Sequence, residues 1–348
     1  MLADEVDAVI GVDTHRDTNS AQVVGAKTGA IGPHTTTATN SAGYEQLLAF
    51  AKEHAPTPRV WAIESTGSYG SGLTAYLQER GERVVEIDRP RRPLRRNGAK
   101  SDEIDALRAA REALQREHLA IPRRRGEREA IRLALRAREN AVRSRTVAIC
   151  HLRSVLVSAP EPLRSKLREA RGDQLFARCS RLRGAPSHSV EQQMTVRVLR
   201  LTARRILALG AEAAELQGEL GQLVENICPA LLEVKGVGAI SAAELINAWS
   251  HSGRVRSEAA FAMLAGAAPI PASSGQTVRH RLNRSGDRQL NQALHTIALT
   301  RTKHDPETRA YVERRTEEGK TPREIKRCLK RYLARRLFRL MEAEAKMA

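Results

Sequence analysis

Three short runs of small and β-branched residues stand almost end to end at the start of the chain: Asp7–Thr14, Ser20–Gly25 and Pro33–Thr37. Their length and composition read as strands. The links between them are short, and Lys27-Thr-Gly-Ala-Ile-Gly32 is rich in turn residues. A parallel crossover takes a dozen or more residues, so these three predict an antiparallel meander. Asn40 and Ser41 can cap a helix running through Lys52. A strand over Arg59–Glu64, a helix over Tyr69–Arg80, a strand over Arg83–Asp88 and a helix from Asp102 to about Arg116 follow. Ser101 is the cap candidate for that last helix. The order βββαβαβα predicts a mixed sheet with helices packed on it.

Charge divides the chain. Residues 1–88 carry 6 Lys/Arg against 12 Asp/Glu, a balance of −6, whereas the whole chain is +18, leaving +24 on the remainder. An acidic module followed by a strongly basic remainder points to a polyanionic partner, nucleic acid before membrane. Aromatic residues are only 3%, so contact should be with backbone phosphates rather than stacked bases. No run approaches the roughly 18 apolar residues of a membrane span, and no secretory signal is expected at the N-terminus. Cys150, Cys179, Cys228 and Cys328 are isolated, so neither a zinc site nor a disulfide framework is indicated, and a reducing cytoplasm fits.

Beyond the first module lies Arg89-Pro-Arg-Arg-Pro-Leu-Arg-Arg96. Its two prolines exclude a regular element and predict an extended basic loop presenting Arg89, Arg91, Arg92, Arg95 and Arg96. Helical periodicity runs from Glu127 to about Ser158, stops at Pro160 and Pro162, and returns from about Glu191 to Glu225. That pattern predicts a helical hairpin or coiled-coil arm, with an ordinary bundle as the plain alternative. Residues 163–190 are basic and poorly patterned. Leu232-Glu-Val-Lys-Gly-Val-Gly-Ala-Ile240 reads as helix, tight turn, helix, with Lys235, Gly236 and Gly238 placed as in a helix-hairpin-helix that grips a backbone phosphate; a plain helix turn is the alternative. Short helices are expected at Ser257–Leu264 and 289–303, and a final one over Pro322–Met341 with eight Lys/Arg between Arg323 and Arg339. The organisation expected is residues 1–122, 123–226 and 227–348.

Four carboxylates stand at element ends: Asp13 and Glu64 at the C-terminal ends of strands, Asp102 and Asp105 in the first turn of a helix. Taken alone, Asp102 and Asp105 share a helix face and could simply stabilise its N-terminus. Gathered at one point, four carboxylates repel unless a cation neutralises them. An all-oxygen donor set predicts Mg²⁺, with Mn²⁺ the alternative, and two such ions roughly 3.5–4 Å apart can cut or join phosphodiesters.

Gly11-Val-Asp13, Ile63-Glu-Ser-Thr-Gly67 and Lys100-Ser-Asp-Glu-Ile-Asp-Ala106 resemble the DEDD motif of the IS110 family of insertion-sequence transposases. Gly236-Val-Gly238, Phe261-Ala-Met-Leu-Ala-Gly266, Pro269 and Ser274-Gly275 resemble that family's second, transposase-type domain. The resemblance implies an α/β RNase H-like (RuvC-like) N-terminal domain, a helical coiled-coil arm, and a mostly α C-terminal transposase domain. It implies metal binding by Asp13, Glu64, Asp102 and Asp105, and Ser274 as a nucleophile forming a phosphoserine link to DNA, with Ser273 beside it. Arg279, His280, Arg281 and Arg284 follow closely and could stabilise the charge that develops. Also implied are donor and target DNA as substrates, a guide RNA encoded by the element, and a dimer or tetramer in which one subunit's acids meet another's serine. The setting implied is the prokaryotic cytoplasm and its nucleoid. Two rivals stand beside this: a junction-resolving Mg²⁺ endonuclease with water as nucleophile, and a non-catalytic nucleic-acid-binding regulator derived from a transposase.

Overall fold

The computed structural model describes residues 2–55, 57–87, 102–273, 277 and 280–347. They cluster into two compact units, Met1–Arg125 and Gly126–Ala348.

In the first unit a single helical turn, α1 (Leu2–Glu5), precedes strands β1 (Ala8–Thr14), β2 (Thr18–Gly25) and β3 (Ile31–Ala38). Helix α2 (Ser41–His54), strand β4 (Arg59–Glu64), helix α3 (Ser71–Glu79), strand β5 (Val84–Ile87) and helix α4 (Asp102–Gln115) follow. The meander forms as the short links require: β1 pairs antiparallel with β2, and β2 with β3. The helical crossovers then place β4 parallel to β1 and β5 parallel to β4, so the sheet order is β3-β2-β1-β4-β5.

Strand alternation sorts the side chains onto two faces. Ile10, Val12, Trp61 and Ile63 pack with Leu47, Ala51, Leu73 and Leu77 of α2 and α3. Val9, Val60, Ala62 and Val85 pack on the other face with Ala110 and Ala113 of α4. Asn40 caps α2 as its sequence suggested, its side-chain oxygen accepting from the Gly43 N–H at 2.9 Å. Ser101, the cap candidate for α4, lies outside the described residues.

The second unit is almost all helix. Helix α5 (Glu127–Val157) stops before Pro160, and α8 (Val190–Ile227) returns alongside it. Ala148 and Leu152 meet Leu199, Ala203 and Ile206 at one end, while Ile131 and Leu135 share a core with Leu220 and Val224 at the other, so the pair is an antiparallel hairpin. Ser189 starts α8 with a complete capping box to Gln192.

The stretch 163–190, read as unpatterned, instead contains α6 (Glu161–Leu167) and α7 (Gly172–Ser180). Each is too short to display a periodicity. Leu167, Leu175, Phe176 and Cys179 close the far end of the hairpin. Beyond the hairpin come α9 (Ala230–Glu233), α10 (Ala239–Trp249), α11 (Glu258–Leu264), the two-residue strands β6 (Ile270–Pro271) and β7 (His280–Arg281), α12 (Arg288–His304), α13 (Pro306–Glu317) and α14 (Pro322–Met347). Helix α13 had no counterpart in the sequence reading, because its solvent-facing sides leave Thr308 as its one buried residue among those described. The base of the hairpin and helices α10, α11, α12 and α14 share one apolar core. No described helix is long and apolar enough to cross a membrane.

Candidate functional site

Parity along the strands decides where two of the acids point. Val9 and Gly11 lie on the α4 face of β1, so Asp13 does too. On β4, Val60 and Ala62 lie on that face, which directs Glu64 the same way. The parallel register sets Val12 opposite Ile63, so Asp13 and Glu64 end neighbouring strands at the same edge. A hydrogen bond from Thr14 Oγ1 to the Glu64 carbonyl, 3.1 Å, ties the two strand ends together. The chain then turns sharply: Ser65 takes φ 60°, a left-handed conformation that costs a non-glycine residue energy and recurs at functional sites.

Gly11 lets the helix that carries the other two acids lie close against β1. A β-carbon at this position would stand 2.0 Å from the Ala106 carbonyl oxygen and 2.6 Å from the Ala110 nitrogen. Helix α4 therefore lies directly on the β1 backbone, and its first turn, with Asp102 and Asp105, reaches the end of β1. An acidic first turn is favoured there by the helix dipole.

The ligating atoms of Asp13, His15 and Asp102 all lie within 4.8 Å of one another. His15 Nε2 stands 3.1 Å from Asp13 Oδ2 and 3.3 Å from Asp102 Oδ1. The Asp13 side chain is 13% exposed and that of Asp102 52%, so the cluster has a buried floor and an open mouth. Burial pushes the Asp13 pKa up, and the charges of Asp105 and Asp102 push it the same way while His15 opposes them. Asp105 is drawn partly aside by Arg108 Nη1 at 2.7 Å. Neither the Glu64 nor the Asp105 carboxylate is among the atoms gathered within 4.8 Å in the described residues.

His15 is the member that sequence reasoning missed. Its signal was the spacing Asp-x-His at a strand end, where residues two apart share a face.

In the second unit the turn before α10 is built around Gly236 (φ 88°), where a β-carbon would meet Arg301 Cγ at 3.1 Å and the Ile297 carbonyl at 3.3 Å. The first helix of the expected pair, α9, is a single turn. Arg301 lies beneath this turn, donating from Nη1 to the Lys235 carbonyl at 3.4 Å and pairing with Asp305 at 2.6 Å. Lys235 itself is exposed, and Gly238 opens α10 with nothing within 4 Å of its α-carbon's missing substituent.

Ser273 is exposed, at the edge of the loop between β6 and β7. Ser274, Gly275 and Arg279 lie outside the described residues, as do Arg89, Arg91, Arg92, Arg95 and Arg96. The base of that loop is a short antiparallel ladder. Ile270 pairs with Arg281 and Pro271 with His280. Gly286 crosses Gly266 so closely that a β-carbon on Gly286 would stand 2.3 Å from the Gly266 nitrogen. His280, Arg281 and Arg284 border a cavity beside this base.

Two family models match this chain. A family model of DEDD transposases of the IS110 type matches residues 10–159, spanning all four acids. A second, described as "Transposase IS116/IS110/IS902 family", matches residues 228–313. The chain is similar to the insertion element IS110 uncharacterized 43.6 kDa protein of Streptomyces coelicolor, 30% identical over 122 residues. That match covers 34% of this chain and 30% of the relative, so it spans less than a third of that relative's length. The chain is also similar to the insertion element IS900 uncharacterized 42 kDa protein of Mycobacterium paratuberculosis, 27% identical over 309 residues, 75% of this chain and 77% of the relative. With both family models matched in order, one on each side of the hairpin's return helix, the chain belongs to the IS110 family of insertion-element transposases.

Proposed function

We propose that this chain cleaves DNA and exchanges its strands as the transposase of an insertion sequence, using a metal-dependent acidic site and a serine nucleophile. The observation that carries this reading is the convergence of Asp13 and Asp102, from a strand end and a helix start, on one point, with Glu64 on the same sheet face. The strand order, three antiparallel strands then two parallel ones, supports an RNase H-like (RuvC-like) reading of the first unit.

Asp13, Glu64, Asp102 and Asp105 would hold Mg²⁺ or Mn²⁺. The donors fit such an ion: hard carboxylate oxygens, one of them on the Asp13 side chain, whose ionised form burial disfavours. A divalent cation bound there would withdraw charge from a phosphodiester and from its leaving oxygen. The protein supplies the frame. The β1 end fixes Asp13, the α4 N-terminus fixes Asp102 and Asp105, and His15 bridges the two aspartates until they are otherwise engaged.

Ser274 would carry the covalent step. Its hydroxyl oxygen bonds to phosphorus, the bond from that phosphorus to one DNA oxygen breaks, the serine's proton ends on the released DNA oxygen as a hydroxyl, and a phosphoserine ester results. Arg279, Arg281 and Arg284 would balance the added negative charge. The Lys235–Gly238 turn would act as a helix-hairpin-helix, offering the free N–H groups at the start of α10 to a backbone phosphate. Family resemblance extends the proposal to a guide RNA held by the 89–96 loop and the basic helices. It extends further to a dimer or tetramer that brings acids and serine together across subunits, and to action at the nucleoid in the cytoplasm.

The test is strand exchange on supercoiled donor and target DNA. Asp13→Asn and Asp102→Asn should fold and bind DNA yet recombine at least 100-fold more slowly; full recombination by either sinks the acidic site. Ser274→Ala should form no covalent protein–DNA adduct. Adducts lost in Ser273→Ala but kept in Ser274→Ala would move the role to the neighbour, and cleavage with no adduct in the unaltered protein would favour a hydrolytic junction nuclease.

A further inference from the structure

A cavity of about 620 Å³ opens in the second unit, beside the base of the β6–β7 hairpin. Gly266–Pro269 and His280–Arg284 form one wall, Asn291 of α12 the floor, and the start of α14 the other wall. Besides Arg315, six cationic side chains line it: Arg281, Arg284, Lys320, Arg327, Lys330 and Arg331. Among the described residues, no carboxylate comes within ion-pair distance of any of these six. The lining carboxylate, Glu324, is exposed and turned to its own helix start, accepting from the Thr321 N–H at 2.8 Å and hydroxyl at 2.7 Å. Arg315, also at the rim, is already paired with Glu318.

Lys330 is the singular member. It is half-buried, and its ammonium donates to a neutral partner, Asn291 Oδ1, at 2.9 Å. Asn291 cannot turn away, because its own amide N–H₂ donates to the Ala265 carbonyl at 2.6 Å. Burial, followed by the charges of Arg327 and Lys326, holds the Lys330 pKa below the usual lysine range. A cation removed from water without a counter-charge is costly. In a concave and predominantly basic setting the missing partner is an anion. Apart from His280 the lining has no aromatic ring, so nothing there stacks a base.

We infer that this cavity is a seat for phosphodiester groups of a nucleic-acid strand, with Lys330 as its central contact, recognising the backbone and not the sequence. The inference rests on the nucleic-acid reading of the second unit but not on its catalysis. The strand so held passes the base of the loop that carries Ser274. Lys330 is thus a positioning residue, placed by Asn291 before the strand arrives.

Binding of a 20-nucleotide single-stranded DNA, and of RNA of the same sequence, to the full chain tests this by fluorescence anisotropy in EDTA across 50–300 mM salt. Lys330→Met and Arg281→Met should each weaken binding about 5–10-fold and lower the slope of log K against log salt by roughly 0.7 per lost phosphate contact. The control Lys346→Met, exposed near the far end of α14, should stay within twofold. Lys330→Met should also keep or raise the Tm of the free protein, since it relieves an unpaired charge; a merely structural lysine would lower it. Equal losses on both strands support a bare phosphodiester seat, and a loss on one strand supports the seat and identifies its occupant. Unaltered affinity and slope on both strands overturn the inference, whatever Asp13→Asn and Ser274→Ala do to strand exchange. Normal exchange by those two variants alongside weakened binding by Lys330→Met would overturn the catalytic reading and leave the seat standing.

Discussion

Replacing Gly11 with alanine probes the contact that joins sheet to acidic helix. The new methyl would lie 2.0 Å from the Ala106 carbonyl oxygen, 2.6 Å from the Ala110 nitrogen and 2.9 Å from the Ala110 β-carbon. Ordinary contact begins near 3.4 Å, so β1 and α4 must part by about 1.4 Å. Two of the three atoms belong to helix backbone, so no rotamer change relieves the clash. Overpacking of this kind costs about 1–3 kcal/mol, and this case belongs at the upper end. For the 125 residues of the first unit that corresponds to a Tm fall of roughly 5–10 °C. The functional effect should be larger than the stability effect. Asp102 and Asp105 move with α4 while Asp13 stays on β1, and a 1 Å misplacement of a catalytic group can cost about 100-fold in rate. Thermal unfolding and strand exchange measured on the same preparation, with Gly67→Ala as control, check both numbers. A methyl on Gly67 meets nothing within 4 Å and should leave Tm unchanged to within about 2 °C. Wild-type Tm and exchange in Gly11→Ala would refute the reasoning, because α4 could not then be seated on β1 as described.

Two further outcomes test the energetics of each unit separately. Glu82 accepts from Arg59 at 2.5 Å and from Trp61 Nε1 at 2.8 Å; burial opposes its ionisation, but these two donors outweigh it and its pKa lies below the usual range. Glu82→Ala leaves the Arg59 guanidinium, 7% exposed, without its partner and should lower the stability of the first unit by about 3 kcal/mol in urea unfolding; a loss under 1 kcal/mol would mean water replaces the carboxylate. In the second unit burial pushes the Glu244 pKa up to about 7, with Arg136 opposing the shift and Asp287 and Glu139 adding to it. The folded value lies above the unfolded one, so its contribution is fully present below about pH 4.5 and is lost as pH rises through about 7. Glu244→Gln should remove that loss, worth roughly 1–2 kcal/mol after allowing for partial solvent screening. Urea midpoints for variant and wild type that stay parallel from pH 4.5 to 8 would contradict it.

Part of the architecture could be read directly from the chain. The βββαβαβα order and the two long helices around Pro160 are local signals, carried by β-branched runs, caps and helical periodicity, and the structure has each of them. Helices α6, α7 and α13 were not legible. Their apolar residues, such as Leu175 and Phe176, acquire meaning only when the ends of α5 and α8 are present to receive them. The four acids were visible as residues at element ends, but His15 was not singled out, since the Asp-x-His spacing after a strand gains its meaning only when Asp102 arrives from far along the chain. Lys330 was one of eight cations on a basic helix; only the floor beneath it, Asn291 held by Ala265, distinguishes it from the rest.

By itself the sequence determined the strands of the first sheet and the longer helices, the charge division between an acidic start and a basic remainder, and the residue types able to hold a cation. Those are properties of near neighbours and of composition, and they survive without knowledge of packing. Tertiary structure decided the meeting of Asp13 with Asp102, the central place of His15 between them, and the isolation of Lys330 in a basic cavity. Each depends on contact between segments far apart in the chain. The first turns on a missing β-carbon at Gly11, where one methyl would hold the helix about 1.4 Å too far from the strand.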